Sequence, residues 1–482
     1  MMSIHAILLS LLLITPWVTL VFSLQPPPPT YQRQHIAILD SSVDTSFLST
    51  LSKRGKRDFK VLSFDDQTHI LLGNFPHQHH KRQNGWLNVE PNQRVTIAGS
   101  STRAASNETN TNGLNTTVPG PYAIQTDVPS WGLSRLSQRQ LPLADAFGYP
   151  NEAGKGVDIY IVDSGVDVNH TDFNGRAVWG GNFVPGSPDV DENGHGTILA
   201  GIAAGTEYGV AKEANIIAVK CLSANGTGDI GTIIEGLHYI LSRIQSGPQP
   251  PKAIVNLSLV AQKSAALNQA TDALTRAGAI VVAAAGNYHE DDDPSKRNAC
   301  NYSPASASTA ISVGSTGRPH FLSVSLLVVA KLYRSLFIDD KDQFASFSND
   351  GKCVDILAPG TSILSDTKTN ASLANVKMWY SGTSYSAPHV AGVLALLSAT
   401  NTTSDHYQVI QQLYSLATPD IIKNVTEGTA NLLAFNGVET SQMSSSMEST
   451  KHRASDASAV VPVFFSAYAS CLTLLSFWAW WL

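Results

Sequence analysis

The stretch Val157-Asp158-Ile159-Tyr160-Ile161-Val162-Asp163-Ser164-Gly165 indicates the fold of this 482-residue chain. It is an apolar, β-branched run that ends in an acid and a Ser-Gly turn, which is typical of a buried strand. Similar runs predict strands at Val157 to Asp163, Ile216 to Lys220, Ala253 to Leu259, Ala279 to Ala285 and Ile311 to Gly314. Helical patterns lie at Gly196 to Ala204, Ile230 to Ser242, Ser264 to Ala277 and Ser384 to Leu397. This alternation predicts an α/β fold with a doubly wound, mostly parallel sheet covered on both faces.

Two polar residues stand where such a sheet collects its functional groups. Asp163 ends the first strand, so its carboxylate is expected at the carboxyl edge of the sheet. His195 begins a helix, where a neutral imidazole can accept a proton. Each residue has an ordinary alternative, because an acid is common at a strand end and a histidine in this position often caps a helix or lies on the surface.

Ser384 and Asn287 complete a chemical set. Ser384 begins a helix, where its hydroxyl can serve as a cap, but the same place directs backbone N–H groups at charge developing on a carbonyl. Asn287 follows a strand and offers a side-chain amide as a second oxyanion donor. Asp163, His195 and Ser384 therefore predict a nucleophilic serine with its base and an orienting carboxylate, which is the chemistry of a serine endopeptidase.

Other functional classes fit the sequence poorly. Gly194-His195-Gly196 matches a dinucleotide fingerprint only in part, since Leu199 stands where the third glycine belongs. The net charge of −6 is spread without long runs and predicts no nucleic-acid partner. Ser384 lacks the Gly-x-Ser-x-Gly elbow of an esterase-type hydrolase. No cofactor is required for the predicted chemistry.

Four motifs together resemble the subtilase family of serine proteases, in its proteinase K-like, cerevisin-like branch. They are Val162 to Val166, Gly194 to Thr197, Ala284 to Asn287, and Gly382-Thr383-Ser384 followed by Ala387 to Gly392. The resemblance covers residues 122 to 436. It implies that Ser384 is the nucleophile, His195 the general base and then acid, and Asp163 the group that fixes the imidazole. It also implies that Asn287 and the Ser384 amide bind the oxyanion.

The same resemblance implies the binding partners. A polypeptide substrate would add as a strand between Ser258-Leu259-Val260 on one side and Gly226-Thr227-Gly228 on the other. A structural calcium ion is implied, held partly by Asp355 and otherwise by main-chain carbonyls. Val89 to Ile97 resembles the end of an inhibitory propeptide, and Trp131 to Leu136 resembles the amino terminus of a mature enzyme.

The chain departs from the family pattern at four places. Ile198-Leu199 follow Gly196-Thr197 where relatives carry His and a small residue, and Tyr385-Ser386 replace Met-Ala after the nucleophile. Val260-Ala261 replace Gly-Gly, so we expect side chains that intrude on the substrate strand or narrow its first pocket. Residues 317–337 form a mostly apolar insertion, which we interpret as a translated intron or a similar gene-model error.

The ends of the chain predict targeting segments. Residues 1–23 indicate a signal peptide, with a buried N-terminal helix as the alternative. Residues 459–482 are apolar and follow a polar spacer at 437–458, which is the order of a glycolipid-anchor signal. A plain membrane span is the alternative, because the length would suffice.

Between these ends the sequence predicts a small α+β propeptide domain at 35–98, a linker at 99–121 and a peptidase domain at 122–436. The propeptide pattern comprises strands at His35 to Leu39, Phe59 to Phe64, His69 to Phe75 and Val89 to Ile97, and a helix at Val43 to Leu51. The linker is rich in Ser, Thr, Asn and Gly and is expected to be exposed and open to cleavage.

The four cysteines are too few for a disulfide scaffold. Cys300 and Cys353 are the best candidates for one bridge, Cys221 is expected to end a strand as a free thiol, and Cys471 lies in the tail. Nine Asn-x-Ser/Thr triplets are plausible glycan acceptors if exposed, at Asn107, Asn115, Asn169, Asn225, Asn256, Asn301, Asn370, Asn401 and Asn424. Asn256 is the exception, because its strand should be buried.

The sequence thus predicts a secreted or surface-anchored serine endopeptidase made as a precursor that cleaves itself within residues 98–122. Its expected partners are polypeptide substrates, its own propeptide and a membrane reached through the lipid anchor. The alternative is a catalytically inactive subtilase-like cell-surface or wall binding protein, motivated by Val260, Tyr385 and the insertion.

Overall fold

The computed structural model describes residues 34–41, 43, 59–74, 86–99, 101–104, 115–117, 121–247, 252–289, 291–317, 342–368, 378–401 and 405–438, with backbone alone at 101–104 and 115–117. The predicted signal peptide, most of the predicted helix at 43–51, all but the first residue of the insertion, Cys471, all but the first two residues of the polar spacer, and the apolar tail lie outside these residues. Within them, no helix combines the length and hydropathy that crossing a bilayer requires.

A small antiparallel sheet comes first in the chain. Its strands are β1 (His35–Leu39), β2 (Phe59–Ser63), β3 (His69–Gly73) and β4 (Trp86–Pro91), in the order β2-β3-β1-β4. One face of this N-terminal sheet carries Ile36, Ile38 and Leu72, which are buried in a core shared with the helices of the larger domain. The sheet and the larger domain are therefore packed together by apolar burial.

The strand predicted at Val89 to Ile97 is wrong as a single element. Strand β4 ends at Pro91, and a separate strand β5 (Arg94–Ile97) leaves the N-terminal sheet. The predicted linker also contains two strands, β6 (Ser101–Ala104) and β7 (Asn115–Thr117). Strand β7 pairs with β8 (Tyr122–Thr126), which pairs with β9 (Ala146–Pro150). Main-chain pairing depends little on side-chain polarity, which explains why composition missed it.

The remaining strands belong mostly to one large sheet. They are β10 (Asp158–Asp163), β11 (Ala177–Asn182), β12 (Asn215–Lys220), β13 (Thr227–Asp229), β14 (Ala253–Leu257), β15 (Leu259–Gln262), β16 (Ile280–Ala284), β17 (Tyr302–Ser303), β18 (Ile311–Gly317), β19 (Gln343–Phe344), β20 (Ile356–Pro359), β21 (Ile363–Leu364), β22 (Met378–Ser381), β23 (Thr418–Pro419) and β24 (Leu432–Leu433). The central order is β11-β12-β10-β14-β16-β18-β20-β24-β23, with β19 paired to β18.

The predicted fold class is confirmed. Neighbouring strands from β11 to β24 are parallel, and only the pairs β23–β24 and β18–β19 are antiparallel. The chain winds from β10 toward β11 and β12 on one side and toward β14 on the other. Asp163 ends β10 at this reversal, which is where open α/β sheets bind ligands.

The described part of the chain contains six α-helices, which surround the sheet: α1 (Trp131–Leu136), α2 (His195–Ala204), α3 (Ile230–Ser246), α4 (Ala265–Arg276), α5 (Thr383–Thr400) and α6 (His406–Leu416). Single 3₁₀ turns lie at Thr171–Phe173, Pro294–Arg297 and Ala299–Asn301. Every residue of α2 is buried, and α5 is buried through Ser398. Helices α2 and α5 pack against each other, which brings their N-terminal residues His195 and Ser384 to the same region of the sheet.

Covalent and packing details agree with the sequence analysis. Cys300 and Cys353 form a disulfide, and Cys221 is a buried free thiol. Asn256 is fully buried, as predicted for its strand. The two strands that flank residues 318–341 meet as an antiparallel pair, with Gly317 opposite Gln343. The chain therefore leaves the sheet and returns to it at neighbouring positions.

Candidate active site

Asp163 and His195 form a buried pair. Asp163 Oδ1 lies 2.9 Å from His195 Nδ1, and the same oxygen accepts the amide of Ser164 at 2.8 Å. Both side chains are at most 3% exposed. Among the described residues His195 Nε2 has no hydrogen-bond partner. The imidazole is thus held at one nitrogen and free at the other, as a general base requires.

Asp191 fixes the loop that carries His195. Its Oδ1 accepts the Gly194 amide at 2.7 Å and the Ser164 hydroxyl at 2.8 Å. Its Oδ2 accepts the amide and hydroxyl of Thr197 at 3.0 and 2.6 Å. Asp191 was not predicted as a site residue from the sequence. An acid just before a helix start was the available signal, because carboxylates are favoured near helix N-termini.

Ser384 and Asn287 converge on one carbonyl oxygen of this chain. The Ser384 amide donates to the Ala98 oxygen at 3.2 Å, and Asn287 Nδ2 donates to the same oxygen. Asn287 Oδ1 accepts the amide and hydroxyl of Thr383 at 3.0 and 2.9 Å, which fixes the direction of its amide group. Two preset donors on one carbonyl oxygen are the arrangement that stabilises an oxyanion.

The capping alternatives do not describe this site. Helix α2 begins after Gly194 and helix α5 after Gly382, so glycine occupies both N-cap positions, and neither His195 nor Ser384 is the capping residue. The Ser384 hydroxyl instead donates to the Ser258 carbonyl at 3.1 Å. It does not hydrogen-bond His195 among the described contacts, which differs from the predicted nucleophile–base contact. Such contacts are often looser before reaction, when the hydroxyl takes a nearby acceptor.

Strand β5 occupies the cleft where a substrate strand was predicted. It pairs antiparallel with β13, with Thr227 opposite Thr96, and with β15, with Leu259 opposite Ile97. The Ile97 amide donates to Gly226 at 3.2 Å, and the Ala98 amide donates to Ser258 at 3.1 Å. The backbone is thus held from both sides up to Ala98.

Beyond Ala98 the chain passes close to His195 and Tyr385, whose rings contact each other. A Cβ placed on Gly99 would lie 3.3 Å from His195 Nε2 and 3.0 Å from the Tyr385 hydroxyl oxygen. The backbone then continues as β6, which pairs antiparallel with β22. The peptide bond between Ala98 and Gly99 therefore has the oxyanion donors on its carbonyl side and the free imidazole nitrogen on its amide side.

Val260 lies beside the same segment. Its Cγ2 is 3.6 Å from the Cβ position of Gly286, and its side chain packs against the core cluster that includes Ala98. Ala98 is itself buried. The branched side chain thus packs close to Gly286, at a position where the family pattern has glycine.

Asp355 lies elsewhere, between β18 and β20. Its Oδ2 accepts the Ser312 amide at 2.8 Å, and burial raises the pKa of its carboxyl to about 6. Within the described part of the chain no three His, Cys, Asp or Glu side chains are grouped so that they could hold a metal. Asp355 would thus offer Ca²⁺ a carboxylate, with main-chain oxygens among the other ligands.

Comparisons with known proteins agree with this fold and geometry. The sequence profile of the Subtilase family, Peptidase S8, matches residues 154–446. A subtilisin-like protease of Coccidioides posadasii is 41% identical over 313 residues, which are 65% of this chain and 69% of that protein. Cerevisin of Saccharomyces cerevisiae is 37% identical over 336 residues, 66% of this chain and 48% of that protein.

A solved structure supports the same conclusion. The crystal structure of a cold adapted subtilisin-like serine proteinase superposes with a TM-score of 0.53 at 36% identity, covering 64% of this chain and 99% of that one. Fold, profile and relatives together define a serine endopeptidase of the subtilisin-like kind. The chain belongs to the subtilase family, and proteases of this family require no cofactor for catalysis.

Proposed function

We propose that this protein is a precursor that cleaves its own Ala98–Gly99 bond, with Ser384, His195, Asp163 and Asn287 as catalytic residues. The observation that carries the proposal is the Ala98 carbonyl oxygen, which accepts hydrogen bonds from the Ser384 amide and from Asn287 Nδ2. Bonds to be cut in serine proteases bind in this way.

The chemistry follows from the contacts. Ser384 Oγ attacks the Ala98 carbonyl carbon while His195 Nε2 takes the hydroxyl proton, and Asp163 holds the imidazole through Nδ1. The negative charge that develops on the Ala98 oxygen is stabilised by Asn287 and the Ser384 amide. His195 then gives the proton to the Gly99 nitrogen as the bond breaks, and water releases the acyl group in the same way.

The N-terminal sheet would remain bound after the cut and inhibit the enzyme. Arg276 bridges Asp65 at 2.8 Å and Thr68 at 2.7 Å, and Lys60 pairs with Glu235 at 3.0 Å. Glu90 accepts the Ala265 amide at 3.0 Å at the start of α4. These contacts, with the shared apolar core, support residues 35–98 as an inhibitory propeptide that must be removed before peptides can enter.

The test compares the full chain with Ser384→Ala. The parent chain should release a fragment with Gly99 as its first residue, seen by mass spectrometry, and should react with a fluorophosphonate probe. Ser384→Ala should stay uncut and unlabelled. If the correctly folded parent chain also stays uncut and unlabelled, the proposal is wrong and the inactive binding protein is favoured instead.

Secretion and surface attachment belong to the same proposal, as do exposed glycan acceptors. Asn169, Asn225, Asn301 and Asn424 are exposed and lie in acceptor triplets. A mass loss after enzymatic deglycosylation of the protein from a eukaryotic host would support passage through the secretory pathway. An unmodified protein released only on cell lysis would contradict it.

We further infer a structural calcium ion at Asp355. The support is a buried carboxylate that accepts the Ser312 amide and has no cationic partner among the groups that act on it in the described part of the chain. Calcium should raise the melting temperature of the parent protein, and EGTA should lower it. Asp355→Asn should remove that difference, and an equal response in the variant would refute the site.

A further inference from the structure

Position 99 is restricted to glycine by the closeness of neighbouring side chains, and not by its backbone conformation. Its φ lies outside the left-handed region, so any residue could adopt the local backbone. A Cβ at this position would lie 3.0 Å from the Tyr385 hydroxyl oxygen, 3.4 Å from Tyr385 Cζ and 3.3 Å from His195 Nε2. These separations are shorter than the 3.5–4.0 Å at which carbon contacts are favourable. A side chain here would need one of its two neighbours to move.

Neither neighbour is free to move. The Tyr385 side chain is buried, and its ring packs against Tyr380 at 5.4 Å and against the His195 ring at 5.6 Å between centroids. The Tyr385 carbonyl also accepts His389 Nδ1 at 2.7 Å inside helix α5. His195 is held by Asp163 at 2.9 Å. Displacing Tyr385 would disturb the aromatic contacts, and displacing His195 would break the pair with Asp163.

We propose that Tyr385 restricts the residue after the cleaved bond to glycine, so that this protease cuts polypeptides immediately before glycine. The proposal rests on the cleavage function given above and adds its specificity. Tyr385 acts as a specificity-determining residue: it stands directly after the nucleophile, and its hydroxyl oxygen lies 3.0 Å from the point where the side chain of the next substrate residue would begin.

The substrate class follows from both sides of the bond. Before the bond, the Ala98 side chain is buried and Val260 packs against the same apolar core, while the backbone is read mainly through main-chain pairing with β13 and β15. The chain's own sequence at the cut, Ile97-Ala98-Gly99, fits these limits. We therefore expect extended polypeptides that present a small residue followed by glycine, such as glycine- and alanine-rich segments.

The first experiment uses the full chain and its own junction. Gly99→Ala should slow self-cleavage about tenfold and Gly99→Val about 100-fold, because overpacking a rigid site typically costs that much. Leu87→Ala is the matched control, since Leu87 is exposed on β4 outside the cleft, and it should process at the parent rate. Equal rates for glycine, alanine and valine at position 99 would overturn the proposal.

Changing the neighbour should relieve the restriction. Tyr385→Phe removes the nearest oxygen and leaves Cζ at 3.4 Å, so it should recover most of the rate lost in Gly99→Ala. Tyr385→Met removes the ring and should also recover part of the rate lost in Gly99→Val. If the Tyr385 variants process Gly99 normally but give no recovery with alanine or valine, Tyr385 does not set the preference and the proposal is wrong.

Assays with synthetic peptides and the processed enzyme test the preference for glycine separately from the protease function on which it rests. The parent peptide is Arg-Val-Thr-Ile-Ala-Gly-Ser-Ser-Thr-Arg-Ala, residues 94–104, with Gly, Ala, Ser or Leu at the sixth position. In the parent enzyme kcat/KM should fall from the glycine peptide to the leucine peptide, and this fall should be smaller in Tyr385→Met. Val260→Gly should keep the fall, and should instead weaken the preference for a small residue before the cleaved bond. If all four peptides are cleaved at the same rate, the preference for glycine is wrong but the protease function stands. If none of the four peptides is cleaved, the protease function is wrong as well.

Discussion

Helix α2 has a buried carboxylate at each end, and the two differ in their partners. At its N-terminal end Asp163 Oδ1 faces His195 Nδ1 at 2.9 Å and accepts the Ser164 amide. At its C-terminal end Asp366 packs against Gly201 and Gly205 beside a second acid, Asp172. A Cβ on Gly205 would lie 2.2 Å from Asp172 Oδ2 and 3.1 Å from Asp366 Oδ2, so these oxygens converge.

The two ends show that a buried acid can have very different neighbours. Asp163 is fully buried, and its Oδ1 lies beside an imidazole nitrogen and accepts a backbone amide. Burial raises the pKa of Asp366 well above its ordinary value, and repulsion from Asp172 and then from Glu207 adds to the rise, while Lys212 opposes it. The protonated Asp366 can donate a hydrogen bond to Asp172, which the charged form cannot.

The largest effect is expected at the catalytic end. Asp163→Asn should keep the shape of the site but present an amide to His195 Nδ1, which favours the wrong imidazole tautomer. We expect kcat to fall about 10⁴-fold with little change in melting temperature. Peptide hydrolysis and thermal unfolding of the processed protein measure the two effects. A loss of activity below tenfold would mean that the Asp163–His195 contact does not orient the base.

The next largest effect is expected from replacing glycines of α2 by alanine, at Gly196 near the catalytic end and at Gly201 near the acidic end. A Cβ on Gly196 would lie 1.9 Å from the Gly165 carbonyl oxygen, a backbone atom that can move only with the Asp163 turn. Gly196→Ala should therefore lower the free energy of unfolding by about 3 kcal/mol and reduce activity by displacing His195.

Gly201→Ala is the matched control at the acidic end. Its Cβ would meet the side chains of Ser365 and Asp366 at 2.5 and 2.6 Å, which can adjust more readily than a backbone carbonyl. We expect a smaller loss of stability and unchanged activity. Equal losses from the two substitutions, measured by urea unfolding and peptide hydrolysis, would contradict the contrast.

A smaller and pH-dependent effect is expected at Asp366. Its pKa is ordinary in the unfolded chain and raised in the folded one, so the folded state binds more protons between these two values. The stability contributed by this carboxyl is complete below pH of about 4 and is lost as pH rises through the raised pKa. Asn at this position does not titrate, and its amide can donate to Asp172.

Asp366→Asn should therefore stabilise the protein increasingly from pH 4 to pH 8, because only the parent protein carries a titrating carboxyl at this position. Thermal unfolding should be measured in a Ser384→Ala background, so that self-cleavage does not interfere. A difference in melting temperature that stays constant with pH would show that Asp366 does not titrate between the two states.

The sequence predicted the catalytic end of α2 far better than the acidic end. Asp163 and His195 stand next to strand, turn and helix signals that locate both residues at the carboxyl edge of the sheet. Asp172 and Asp366 are separated by nearly two hundred residues and lie in no local pattern. Their contact depends on the close packing of Gly201 and Gly205, which only the three-dimensional structure reveals.

In the cleft, too, contacts between residues far apart in the chain could not be predicted from local sequence patterns. Tyr385 was recognisable as a departure at a known place in the helix, but its distance from Gly99 depends on where β5 runs. The pattern from Val89 to Ile97 predicted one strand, whereas Asn92 binds the start of α3 at the Gly231 amide and separates β4 from β5. The contact between Asn92 and the start of α3 thus helps to direct β5 into the cleft, where Ala98 reaches Asn287.

The smallest effect is expected from removing the predicted insertion, which should alter neither end of α2. Gly317 and Gln343 are opposite each other in an antiparallel pair, so an Asn-Gly turn can join Gly317 to Asp342 in place of residues 318–341. Asp342 must be kept, because it accepts Arg135 Nε at 2.8 Å. Shortening the connection between two paired strands changes chain entropy only slightly, so we expect a change in unfolding free energy below about 1 kcal/mol and unchanged self-cleavage. A deletion variant that fails to fold would show that the segment is an integral part of the enzyme, against its interpretation as a translated intron.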